Sequence, residues 1–111
     1  MSTTLPATRL VAVGRLEDVP RFEGRPVTVA GRRIAIFNTP SGIRALEDAC
    51  PHRGGPLSDG LVGDGCVVCP LHNRRIDLAT GMMDGDGDGD ERAVVVPVVE
   101  RAGWIYVEVE A

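Results

Sequence analysis

The chain has 111 residues, 43% hydrophobic and 25% charged, with a formal net charge of -4. That length supports one domain with a real core and leaves no room for a separate substrate domain. An acidic balance without a dense basic cluster argues against a nucleic-acid binder, and no apolar run approaches the roughly eighteen residues of a membrane span.

The N-terminal "MSTTLPATRL" lacks the charged-then-apolar pattern of a secretory signal, so the cytoplasm is the expected compartment. Three cysteines in a reducing compartment do not suggest a disulfide framework. Aromatic residues are few (Phe22, Phe37, Trp104, Tyr106), so the core must be built from Val, Ile, Leu and Ala.

In chain order, "RLVAVG" predicts a first strand, and "LEDVP" at 16–20 a single helical turn or loop. "PVTVAGRRIAIFN" predicts a hairpin turning near Gly31. "TPSG" at 39–42 is a turn signal, and "IRALE" continues the meander. "CVVC" at 66–69 and "RIDL" at 75–78 predict two short strands. "AVVVPVV" and "WIYVEVE" predict the last two, with Pro97 at an edge or bulge. No longer segment has helical periodicity. The expected fold is all-β: an antiparallel sandwich or barrel, with a base over about 8–46 and 82–110 and an inserted lobe over about 47–81.

The chemistry concentrates in that lobe. Both histidines of the chain sit beside cysteines, as Cys50-x-His52 and Cys69-x-x-His72, with sixteen residues between His52 and Cys69. Two loops that each deliver a thiolate and an imidazole can build a tetrahedral zinc site. They can equally hold a [2Fe–2S] cluster with two Cys on one iron and two His on the other. Zinc fingers usually pair like with like, whereas mixed Cys/His loops let one loop bridge two irons.

The stretch "CPHRGGPLSDG…CPLHNRRIDLATG" resembles the cluster-binding lobe of Rieske [2Fe–2S] proteins over about residues 47–81. Within that family it is most similar to the small subunits of assimilatory NAD(P)H nitrite reductases, and next to Rieske-type ferredoxins. The resemblance implies that Cys50 and Cys69 bind the inner iron, and His52 and His72 the outer one through Nδ1. Gly54, Gly55 and Pro56 would turn the first loop and Pro70 the second, bringing backbone N–H groups to the sulfides. Respiratory relatives tie their loops with a disulfide. Gly55 and Leu71 stand at those positions here, which implies a potential nearer the roughly -150 mV end of the Rieske range than +300 mV. Arg74 stands where many relatives carry an aromatic residue.

Neutral imidazoles in place of two thiolates lower the negative charge around one iron and raise the potential. No nucleophile–base pair or open metal position is evident, so electron transfer to a protein redox partner is expected, with no catalytic residue in this chain. The resemblance implies a large subunit carrying flavin, an iron–sulfur cluster and sirohaem that reduces nitrite to ammonium. The alternatives are a ferredoxin serving an oxygenase and a zinc-stabilised interaction module.

Other features have plainer readings. Alternation places Cys66 on the face opposite Cys69, as a structural or partly exposed cysteine. "DGDGDGDE" at 84–91 spaces Asp84, Asp86 and Asp88 as a calcium loop would, but the twelfth position is Val95, so a solvated acidic loop is expected. Arg53, Arg74 and Arg75 either solubilise the loops or dock an acidic partner. Trp104 and Tyr106 are expected in core or edge packing.

Overall fold

A computed structural model describes residues 8–50, 55–63, 65–70, 74–83 and 92–110. His52, Arg53, Gly54, Asp64, Leu71, His72 and the acidic run 84–91 lie outside the described residues. Among the described residues nine strands follow one another: β1 (Thr8–Arg15), β2 (Gly24–Val29), β3 (Arg32–Thr39), β4 (Gly42–Glu47), β5 (Leu61–Gly63), β6 (Cys66–Val68), β7 (Arg75–Asp77), β8 (Val98–Arg101) and β9 (Trp104–Glu110). Two single turns of 3-10 helix, Leu16–Asp18 and Leu57–Asp59, are the helical elements among the described residues. The fold is therefore all-β, as expected.

The strands form three antiparallel sheets ordered β1-β9-β8, β2-β3-β4 and β5-β6-β7. Two hairpins turn on Ala-Gly pairs with positive φ at both residues: Ala30 and Gly31 (52° and 78°), and Ala102 and Gly103 (53° and 84°). Positive φ at both central positions is the geometry of the type I′ turn, whose twist matches that of paired strands.

The sheet β2-β3-β4 is a shared wall between two cores. Successive strand residues point to opposite faces. Ile34, Ile36 and Ala45 pack with Val96, Ile105, Val107 and Val109 on one side. Ala35, Phe37 and Leu46 pack with Leu57, Val67, Ile76, Leu78 and two cysteines on the other. That is why "IAIF" is a continuous apolar run rather than an alternating one: all four residues are buried. Full burial of Phe37 alone is worth about 1.5–3 kcal/mol relative to exposure.

Two expectations need correction, and one strand was not anticipated. "AVVVPVV" is not one strand: β8 begins only at Val98, and the run before it makes isolated contacts, Leu46 opposite Val95 and backbone bonds to Glu47 and Ala45. The segment crosses from one core to the other, with Ala93 buried in the first cluster and Val96 in the second. Pro97 has no N–H to extend a ladder backwards. Strand β5, at "LVG", is present although its three residues carry too little pattern to announce it. Trp104 and Tyr106 lie outside the core, whose β9 face is Ile105, Val107 and Val109. Nor is Trp104 at an edge: β9 is the central strand of its sheet, and the Arg15 guanidinium lies 4.9 Å from the Trp104 ring centroid across the β1-β9 pair on the outer face.

Candidate functional site

Cys50 follows β4 by a short bend, and Cys69 follows β6 directly. The two residues are 2% and 0% exposed and belong to one apolar cluster with Phe37, Leu57, Val67, Ile76 and Leu78. The fold thus places in one apolar cluster the two cysteines that the family resemblance assigns to the inner iron. No disulfide joins the described cysteines.

Each cysteine starts a loop closed in the same way. The Cys50 N–H donates to the Gly55 carbonyl at 2.8 Å, and the Cys69 N–H donates to the Arg74 carbonyl at 2.8 Å. Both bonds span five residues, so two loops of equal size leave the same buried cluster. His52 and His72 fall inside these loops by sequence, outside the described residues. Gly55 is buried and Pro70 exposed; Arg74, at the foot of the second loop, is half-buried.

The second loop stands on a ladder, with Val68 opposite Arg75, Val67 opposite Ile76 and Cys66 opposite Asp77. This register puts Val67 and Ile76 inward and leaves Cys66 half-buried on the outer face, away from buried Cys69. A turn over Asp77–Gly81 seals the far end of that hairpin. Asp77 Oδ1 accepts from the N–H groups of Ala79 (2.8 Å) and Thr80 (3.0 Å), and Thr80 Oγ1 accepts from the Met82 N–H at 3.2 Å. The backbone N–H bonds from Ala79 and Thr80 hold the Asp77 carboxyl below its ordinary pKa, with smaller help from the Thr80 hydroxyl and the Arg44 charge against a burial effect of opposite sign. This is the physical content of "D-L-x-T-G".

The first loop is held differently, by a residue that the sequence pattern does not single out. The Asp48 carboxylate is fully buried. It accepts from the Ser58 N–H (2.7 Å), the Ser58 hydroxyl (2.8 Å) and Arg33 Nε (2.7 Å). An Asp two residues before a Cys, with a Ser two residues after Gly-Gly-Pro, was the available signal. Its third partner comes from a distant strand and leaves no mark in local sequence.

A buried pair of thiols at the mouths of two matched loops, each loop carrying one histidine in sequence, suits a two-iron cluster. Burial in an apolar cluster shields both cysteines from the reactivity of an exposed thiol.

A family model of the Rieske [2Fe–2S] domain matches residues 9–97. The chain is 48% identical over 54 residues to the anthranilate 1,2-dioxygenase ferredoxin subunit of Burkholderia cepacia, covering 48% of this chain and 50% of that protein. It is 39% identical over 75 residues to a human Rieske domain-containing protein, covering 64% and 48%. These matches span about half the length of those two relatives. Over 95 residues it is 30% identical to the ferredoxin component of a naphthalene 1,2-dioxygenase system of Pseudomonas aeruginosa, covering 86% and 82%. Among solved structures, a protein assigned as a nitrite reductase NADPH small subunit superposes with a TM-score of 0.81 at 28% identity, covering 89% of this chain and 97% of that one. With the fold, the matched loops and a family model over most of its length in agreement, this chain belongs to the Rieske [2Fe–2S] domain family, whose members bind a [2Fe–2S] cluster and transfer electrons.

Proposed function

We propose that the chain is the small, electron-transferring component of an assimilatory NAD(P)H nitrite reductase acting in the cytoplasm. The observation that carries this reading is likeness along nearly the whole length of both chains to a nitrite reductase small subunit. In this reading Cys50 and Cys69 hold the inner iron of the cluster, and His52 and His72 the outer one. Its support is the shared burial of the two thiols and the identical closure of the two loops. The cluster supplies one-electron chemistry at a potential set by its ligands. The protein's own residues orient the ligands, exclude water from the thiolate side and present the loops to a partner. Residues 47–81 form the cluster-bearing lobe, and 8–46 with 82–110 the base on which it rests.

The docking face would surround the loops. Leu61, 77% exposed, Val68 and Arg75 make a cross-strand row on the outer side of β5-β6-β7, ending beside the Cys69 loop. An exposed apolar residue in one row with an arginine suits a partner surface with an apolar centre and an acidic rim.

A specific observation favours a second reading, a ferredoxin that feeds an oxygenase: the 48% identity to a dioxygenase ferredoxin subunit. Partner dependence separates the two. The purified protein is offered to the large subunit of a nitrite reductase and, separately, to a reductase–oxygenase pair. Co-purification and nitrite turnover with the first are expected. Electron delivery to the oxygenase alone would replace the first reading with the second.

A further inference from the structure

The two loops are closed alike at their mouths but differ at their necks. Behind Cys69 and Arg74 runs a ladder of strand pairs, Val68–Arg75, Val67–Ile76 and Cys66–Asp77. Behind Cys50 and Gly55 there is none. Pro56 has no N–H to donate, and among the described residues no other backbone bond crosses this neck. Among the described residues, the Cys50–Gly55 bond is the backbone tie at this neck.

The neck is instead crossed by a side chain. Asp48 Oδ1 accepts the Ser58 N–H at 2.7 Å and its Oδ2 accepts the Ser58 hydroxyl at 2.8 Å, so residues 48 and 58 are tied at two points. The Asp48 N–H donates to the Arg33 carbonyl at 3.0 Å, and Arg33 Nε returns a bond to Oδ2 at 2.7 Å. The tie is thereby anchored to β3, a strand of the central wall. The carboxylate is fully buried while the Arg33 side chain is 58% exposed, so a solvated cation balances a dry anion. Charge-assisted bonds of this length are about twice as strong as neutral ones. Next to Ser58 sits Leu57, which is in the same apolar cluster as Cys50 and Cys69.

We propose that Asp48 is a positioning residue for the first loop. Through Ser58 and Arg33 it replaces the missing ladder and fixes the Cys50 backbone relative to Cys69. The inference rests on the cluster reading for its functional meaning, but the clamp itself does not require a bound cluster.

The test compares Asp48→Ala, Asp48→Asn and Ser58→Ala with a control, Val107→Ala, whose site lies in the other core cluster. Amide hydrogen exchange is read at Cys50 and Cys69, whose N–H groups close the two loops. Asp48→Ala should speed exchange at Cys50 by about tenfold or more and leave Cys69 unchanged. Ser58→Ala should do so less strongly. Asp48→Asn keeps an acceptor for the Ser58 N–H and should recover much of the protection. In cluster-loaded protein, Asp48→Ala should hasten iron release to a chelator and alter the reduced EPR spectrum. Val107→Ala, though destabilised, should change neither. Equal acceleration at both cysteines, none at Cys50, or a control that reproduces the EPR change would overturn the proposal. If the wild-type protein holds no iron and sulfide, the cluster reading fails, while the exchange comparison still decides the clamp.

Discussion

Cys50 and Cys69, nineteen positions apart in sequence, are buried in one apolar cluster, and each closes its loop through a 2.8 Å bond from its own N–H. Cys66, only three positions before Cys69, is on the outer face and outside that cluster. Sheet geometry, not proximity in sequence, therefore separates ligand candidates from a bystander. Cys50→Ser and Cys69→Ser should each abolish iron and sulfide incorporation, whereas Cys66→Ser should retain both at wild-type stoichiometry. Iron and acid-labile sulfide assays on the three purified variants check this.

Gly81 sits where only glycine fits. Its φ is +78°, and a Cβ built on it would collide with the Ala93 carbonyl oxygen, in a contact already fixed by the Ala93 N–H bond to the Gly81 carbonyl at 2.8 Å. Gly81→Ala should cost about 2–4 kcal/mol, from left-handed strain plus the displaced backbone. Thermal unfolding measures it, and a loss below the resolution of that experiment would show that the turn can relax.

How much of this was legible in sequence depends on how local the cause is. The hairpins at Ala30–Gly31 and Thr39–Gly42, and the two Cys/His loops, carry their signals within a few residues. The run "AVVVPVV" misleads because apolar content does not encode which core a residue enters: Ala93 and Val96 are buried in different clusters and the two valines between them are exposed. On β9 the orientation was readable after all. Glu108 shares the parity of Trp104 and Tyr106, so that face had to be the solvent one. The Asp48 clamp was not readable, because Arg33 reaches it through a pairing of β3 with β4 that only the fold supplies.

The alanines at positive φ offer a gain in stability. Ala30 and Ala102 hold φ of 52° and 53°, a conformation that Asn tolerates better than Ala. Ala30→Asn and Ala102→Asn should each stabilise the protein by roughly 0.5–1 kcal/mol. The sites are in different sheets, so the double variant should show the sum within a few tenths. Urea unfolding midpoints check both claims, and destabilisation by either substitution would refute the turn assignment.

Asp77 supplies a pH dependence whose sign follows from its hydrogen bonds. Its folded-state pKa is below the usual carboxylate value because the Ala79 and Thr80 N–H groups stabilise the anion. The stabilisation is complete above the unfolded pKa of about 3.9 and is lost as pH falls through the lower folded value. An NMR titration followed at the Ala79 and Thr80 amides should give a midpoint below that of an unfolded-chain Asp. In Asp77→Asn the acid-side transition at those amides should disappear. A midpoint at or above the unfolded value would contradict the turn described here.

The central claim, that two matched loops hold a [2Fe–2S] cluster by mixed thiolate and imidazole ligation, is tested most directly by EPR of anaerobically purified, dithionite-reduced protein. The account predicts a rhombic signal with an average g below the free-electron value, from a protein containing iron and acid-labile sulfide in equal amounts. A colourless, EPR-silent protein with one zinc and no sulfide would contradict it.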